Sequence, residues 1–160
     1  MIKVNVIAVG KLKEKYLRDA CEEYLKRLKA FAKLNIIEIN EYRASDNPSE
    51  SELETVKSKE GEAIKAKLPK GSFVIPMCIE GKQLSSEEIS AKLEDISIKG
   101  FSEITFIIGG SFGLSEEIKA LGDLRLSFGK ITLPHQLMRV VLLEQIYRAF
   151  SISNNSRYHK

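Results

Sequence analysis

Residues 2–9, IKVNVIAV, alternate into a strand rich in β-branched side chains, and Gly10 ends the run. Residues 14–31 then switch to helical spacing, with Tyr16, Leu17, Ala20, Tyr24, Leu25 and Leu28 on one face. A second strand is predicted over 34–39. The polar stretch EYRASDNPSES at 41–51 holds Pro48 and reads as an exposed loop. Residues 52–68 form a charged helix with a thin apolar side, which suits the surface. Residues 72–79 are apolar nearly throughout, as in a strand buried on both faces, and Gly81 is read as turning the chain. Ser85 or Ser86 can cap a helix running to about Ile98, with Glu87 and Glu88 in the first turn, where the helix dipole favours acids. A fourth strand is predicted over 103–108, followed by the run Gly109-Gly110-Ser111-Phe112-Gly113. Ser115 then caps a short helix, and 124–128 form a fifth strand.

The final helix, predicted over 134–150, has a different pattern. Pro134 suits its first turn, where a missing N–H has no partner to lose. Leu137, Met138, Val140, Val141, Leu142, Leu143, Ile146, Tyr147, Ala149 and Phe150 leave no wide solvated face. Such a helix is buried on more than one side. One side can lie on its own sheet; a second copy of the protein is the simplest cover for the other. Glu144 and Arg148 stand four apart and can pair, which lets a buried helix carry charge.

Strands alternating with helices predict an α/β fold with a mostly parallel sheet flanked by helices. A chain of 160 residues fits one domain, 1–160. In such sheets ligands bind beyond the carboxyl ends of the strands. Three strand ends therefore converge as candidates for one pocket: 76–79, 109–113 and 128–133. Glycines there let backbone N–H groups approach a ligand without an intervening Cβ. The G-G-S-F-G run lacks the Lys and Ser/Thr of a P-loop and the spacing of a dinucleotide fingerprint. It suits either a nucleotide cradle or a plain turn.

Composition narrows the class. Hydrophobic residues at 43% and charged residues at 29% describe a globular, ordered protein. No apolar run is long enough to span a bilayer, and MIKVNVIAVGK lacks a signal-peptide pattern, so a cytoplasmic location without a membrane partner is expected. Cys21 and Cys78 form no CxxC pair and read as buried, reduced thiols. The net charge of +3 is unevenly spread. Residues 1–118 carry 18 Lys+Arg against 20 Asp+Glu, whereas 119–160 carry 7 against 2. A basic C-terminal segment on a near-neutral body suits a polyanion such as RNA.

Little in the sequence alone names a reaction. There is no metal-ligand cluster, no Ser/His/Asp arrangement and no obvious nucleophile. His135, at the start of the last helix, reads first as a helix-end histidine bonding a backbone group. Composition makes 151–160 a fraying end.

Four runs together are far more specific: AVGKLKEKY at 8–16, FIIGGSFG at 106–113, LSFGKITLPHQLMRVVLLEQIYRAF at 126–150 and the terminal YHK. In that combination the whole chain closely resembles the RlmH family, the SPOUT-class methyltransferases that act on a pseudouridine of 23S rRNA. The resemblance implies a homodimer with a C-terminal trefoil knot, although chains in general avoid threading themselves. It implies S-adenosylmethionine as methyl donor and no metal. The substrate would be N3 of a pseudouridine in helix 69 of 23S rRNA, in the assembled 70S ribosome. Carried over by motif, Met77, Gly109, Phe128, Gly129, Lys130, Ile131, Thr132 and Leu133 would contact the donor. His159 and Tyr158 would be catalytic, and Arg157 and Lys160 would meet RNA phosphate. The tail departs from the family pattern, with Asn155 and Arg157 at its Gly and Pro positions; Asn tolerates the left-handed backbone that Gly supplies. Two other readings stay open: a SPOUT enzyme that modifies tRNA, and a ribosome-binding factor without turnover.

Overall fold

The computed structural model describes residues 1–158. Five strands, β1 (Lys3–Val9), β2 (Lys33–Ile39), β3 (Phe73–Gln83), β4 (Glu103–Ile108) and β5 (Leu126–Ser127), form one sheet in the order β2-β1-β4-β3-β5. Every neighbouring pair is parallel. All strands therefore end on one edge, and the loops that leave them gather there.

Side chains alternate across the sheet. Val4, Val6, Ala8, Ile75, Met77, Ile104, Phe106 and Ile108 face one side. They pack on three helices, α1 (Lys15–Leu28), α3 (Ser86–Ile98) and α5 (His135–Ser153), through Leu28, Leu93, Ile96, Leu143 and Ile146. Ile7, Val9, Val74 and Ile107 face the other side, under α2 (Glu50–Lys67) and α4 (Glu116–Ala120), which supply Ile64 and Ile118. The polar residues buried in the strands are matched to one another. Asn5 Nδ2 donates to Thr105 Oγ1 at 3.2 Å and to Glu103 Oε1 at 3.0 Å, and the Thr105 and Ser72 hydroxyls lie 2.6 Å apart. Such pairing removes the penalty of burying them.

Serines start three helices. Ser49, Ser85 and Ser115 each accept from a backbone N–H three residues on, and Ser85 with Glu88 completes a capping box. Helix α2 thus begins at Glu50, ahead of the expected 52.

Several expectations need correction. Gly81 does not turn the chain: β3 continues through it to Gln83, with a register break against β5 between Met77 and Lys82. A Cβ on Gly81 would lie 2.8 Å from the backbone carbon of Leu126, so glycine there permits a close backbone approach rather than a turn. The burial of 72–79 ends at Met77, and Ile79 is exposed. The fifth strand shrinks to two residues because β5 pairs along that broken stretch of β3. Tyr16 lies off the buried face of α1, 69% exposed. Cys21 is buried as expected, whereas Cys78 is only partly so.

Helix α5 is packed against α1 and α3 and starts from Pro134, whose carbonyl accepts from Met138 N–H. Arg139, 3% exposed, ties it to the strand ends. Its Nη1 donates to Glu38 Oε2 at 2.7 Å and its Nη2 to the Gly10 carbonyl at 3.0 Å. This guanidinium joins β1, β2 and α5 beside the edge where the loops gather.

Candidate active site

The carboxyl ends of β3, β4 and β5 enclose a cavity of about 710 Å³. That lies within the range of small-ligand pockets, roughly 300–1,000 Å³. Three strand-end segments line it, as the glycine placement predicted. Met77 to Glu80 come from β3, Ile108 to Leu114 follow β4, and Leu126 to Gly129 with Ile131 to His135 lead from β5 into α5. Met138 closes the wall from the first turns of that helix.

The glycine turn is shaped by its own backbone. Gly110 and Gly113 form an antiparallel bridge, with Gly113 N–H donating to the Gly110 carbonyl at 3.0 Å. Gly113 adopts φ +81°, a conformation open to glycine at little cost. A Cβ on Gly109 would stand 2.7 Å from the backbone carbon of Gly113. Glycine at 109 is therefore demanded by the turn itself, whatever lies in the cavity. On this wall Gly109, Gly110 and Gly113 bring bare main chain to the cavity, between the side chains of Ser111, Phe112 and Leu114.

The opposite wall is the segment 128–133. Ser127 Oγ accepts from Gly129 N–H and donates to the Gly129 carbonyl, both at 3.1 Å, which braces the start of the loop. Of the eight donor-contact positions expected from the sequence, seven line the cavity: Met77, Gly109, Phe128, Gly129, Ile131, Thr132 and Leu133. Lys130 does not; it lies in the same loop and is exposed.

Several wall residues went unnoticed in the sequence. Lys119 of α4 reaches the cavity and bridges to Glu80 and, at 3.4 Å, to Glu116. Burial works against the Lys119 charge, but Glu80 and Glu116 outweigh it and raise the Lys119 pKa. Glu80, hydrogen-bonded by that ammonium, is held below the usual carboxylate range. Burial pushes the Cys78 thiol up, so it is no ready thiolate. His135 also lines the wall, and a Cβ on Gly10 would come 3.5 Å from its Nε2. No backbone hydrogen bond holds it among the described residues, contrary to the helix-end reading. Its position two residues beyond the predicted strand-end stretch 128–133 was the signal in the sequence.

The tail is elsewhere in the chain. Asn155 adopts φ +54°, in keeping with the tolerance of asparagine for the left-handed region. Tyr158 turns back onto α5. Its hydroxyl donates to Glu144 Oε2 at 2.7 Å, and its ring meets Tyr147 edge-on at 4.6 Å beneath the Arg148 guanidinium. Tyr158 does not line the cavity of its own chain. Arg157 is exposed, and His159 and Lys160 lie outside the described residues. The expected Glu144–Arg148 pair is present at 2.6 Å.

A family profile described as "Predicted SPOUT methyltransferase" matches residues 2–159. The chain belongs to the SPOUT methyltransferase family. Among curated SPOUT relatives, the "Ribosomal RNA large subunit methyltransferase H" of Streptococcus pneumoniae is 54% identical over 159 residues, covering 99% of this chain and 100% of the relative. The protein of the same name from Leuconostoc mesenteroides is 52% identical over 159 residues, with the same coverage. A solved structure, that of a probable methylase family protein from Haemophilus influenzae, superposes with a TM-score of 0.55 at 12% identity. It covers 100% of this chain and 72% of that one. That likeness concerns the fold, and it agrees with a parallel sheet flanked by helices.

Proposed function

We propose that this SPOUT protein is an S-adenosylmethionine-dependent rRNA methyltransferase that acts on N3 of a pseudouridine in helix 69 of 23S rRNA, on the assembled 70S ribosome. The observation that carries this reading is the cavity at the strand ends, walled on one side by the glycine turn and on the other by the loop 128–133. Two near-full-length relatives named as large-subunit rRNA methyltransferases support the substrate class.

The residues present fit the donor. Main-chain groups of the turn from Gly109 to Gly113 are open to a polar ligand edge, and Met77, Phe128 and Leu133 supply apolar surface. Bound there, the donor supplies a methyl group on a positively charged sulfonium. Met77, Phe128 and Leu133 exclude water from that centre, where a charge must be lost. The cavity walls fix the donor's orientation, and alignment with the base supplies much of the rate. His159 takes the N3 proton, because its ordinary pKa of about 6.5 leaves a neutral imidazole at cellular pH. Tyr158 stacks near the reacting base, while Arg157 and Lys160 hold phosphate. These tail groups act at the cavity of a partner subunit in a homodimer, a reading supported by the absence of Tyr158 from the lining of its own chain's cavity. The same reading includes a C-terminal trefoil knot and a cytoplasmic location.

The test is methyl transfer from labelled donor to 70S particles, free 23S rRNA and tRNA. Incorporation into 70S particles alone, lost when the target uridine is not isomerised to pseudouridine, is the expected result. Incorporation into tRNA instead reassigns the substrate. Ribosome binding without incorporation makes the protein a binding factor.

A further inference from the structure

We propose that the β1–α1 loop and the start of α1, residues 10–16, form a second RNA-holding surface, in which Lys11 and Lys13 grip phosphates and Tyr16 stacks on an unpaired base. This inference rests on RNA being the substrate. It places the grip at the opposite end of the chain from the basic C-terminal segment.

The loop leaves β1 on the same edge as the cavity. Gly10 stands against His135 of the cavity wall. Within K-L-K, Leu12 turns inward and packs on the core, while Lys11 and Lys13 are exposed. The loop is fixed in place rather than loose. Lys13 N–H donates to Gln136 Oε1 at 3.1 Å, which ties it to the first turn of α5. Arg18 Nη1 donates to the carbonyls of Leu12 at 3.1 Å and Lys13 at 2.7 Å, which clamps it from α1. Arg18 thus uses its Nη1 group to shape the loop, and it is a positioning residue.

Charge and exposure then set the partner. Residues 11–18 hold four Lys+Arg and one Glu. Lys15 pairs with Asp19, but neither Lys11 nor Lys13 joins an ion pair among the described residues. Glu41 is the nearest acid to Gly10, and it accepts from Ser111 Oγ at 3.0 Å. Tyr16 is 69% exposed in the first turn of α1, a large apolar face among cations. Two unpaired cations on a rigid loop beside an uncovered aromatic ring match single-stranded or looped RNA: phosphates for the ammonium groups and a base face for the ring.

The experiment measures binding of the full-length protein to 70S ribosomes across a salt series, by cosedimentation. Lys11→Gln/Lys13→Gln should weaken binding and flatten the slope of log affinity against log salt by about 1–2. Tyr16→Ala should lose roughly tenfold with the slope unchanged, and Tyr16→Phe should bind as the native protein does. Donor affinity by calorimetry, thermal melting and sedimentation should match the native protein in every variant. A folded double-lysine variant with native affinity and slope overturns the proposal. So does a variant whose defect is a changed oligomeric state. Native methylation of 70S particles by the double-lysine variant at limiting ribosome would also sink the loop while leaving the enzyme reading intact. Salt-sensitive ribosome binding that needs Lys11 and Lys13, but no methyl transfer by the native protein, would sink the enzyme reading alone.

Discussion

The hydroxyl of Tyr158 donates to Glu144 Oε2 at 2.7 Å, so the C-terminal tail is latched to the helix it follows. Burial pushes the Glu144 pKa up, but hydrogen bonds from Tyr158, Tyr24 and Arg148 more than offset it and hold it below the usual carboxylate range. A depressed carboxyl pKa stabilises the fold above its unfolded value and loses that contribution as pH falls through the folded one. The latch should therefore hold at neutral pH and release in acid. Tyr158→Phe removes the donor at a cost of about 1 kcal/mol and keeps the ring contact with Tyr147. Limited trypsin cleavage after Arg157 should become several-fold faster in Tyr158→Phe at pH 7. Equal cleavage rates would show that the hydroxyl does not hold the tail.

Burial along α5 separates residues that hold the fold from residues left accessible to a second copy. Ile146 is 1% exposed within a single chain, so Ile146→Glu should unfold the protein whatever its oligomeric state. Leu137, Val141, Glu144 and Arg148 follow one another at helical spacing and remain partly or fully exposed. We expect a homodimer that buries this stripe; each large apolar side chain removed from water contributes roughly 1.5–3 kcal/mol. Val141→Glu should sediment as a folded monomer with a near-native melting temperature. A native protein that already sediments as a monomer at micromolar concentration removes the interface.

What the sequence made legible follows from how local each signal is. Strand alternation, serine caps and the all-round apolarity of 134–150 are local, and the five strands and the position of the pocket came from them. Gly81 was misread because a glycine in a turn and a glycine at a close strand approach look alike until Leu126 is placed beside it. Tyr16 was put on the buried face because helical period alone does not fix which edge of an apolar stripe meets the sheet. Lys119 reaches the cavity from α4, which no spacing rule connects to it, whereas His135 lies just past the stretch 128–133. The eight positions expected to contact a donor came from motif resemblance rather than from any local pattern, and seven of them line one cavity because the parallel sheet brings their strand ends to one edge.

Glu60 gives a pH-dependent prediction. It is 3% exposed on α2, accepts from Tyr42 N–H at 3.0 Å, and lies beneath Gly110. Burial raises its pKa, against the lowering effect of the Tyr42 hydrogen bond, and nearby Glu41 raises it further. A raised carboxyl pKa means full stability below the unfolded value and a loss as pH climbs through the folded one. Glu60→Gln keeps an acceptor for Tyr42 and removes the charge. Its melting temperature should exceed that of the native protein at pH 7.5, and the difference should shrink towards pH 4. A variant less stable at both pH values would mean that the carboxylate makes contacts worth more than its burial costs.

Two glycines on opposite walls of the cavity should fail in different ways. A side chain at Gly109 collides with the backbone of Gly113, so any substitution there rebuilds the turn and lowers the melting temperature along with donor binding. That variant cannot separate folding from function. Gly129 is the informative position. A Cβ there meets nothing within 4 Å, yet its φ of +120° is one that other residues adopt only under strain. Such strain costs on the order of 1–3 kcal/mol. It falls on an excursion after a two-residue strand, where the loop can relax without disturbing the sheet core. The relaxed loop would carry Ile131, Thr132 and Leu133 out of register with Met77 and the glycine turn. Gly129→Ala should therefore melt close to the native protein while its affinity for S-adenosylmethionine, read by calorimetry, drops about tenfold, equivalent to roughly 1.4 kcal/mol. Native affinity in Gly129→Ala would mean that the loop 128–133 does not grip the donor in the conformation seen here, and the donor site would have to rest on Met77 and the glycine turn alone.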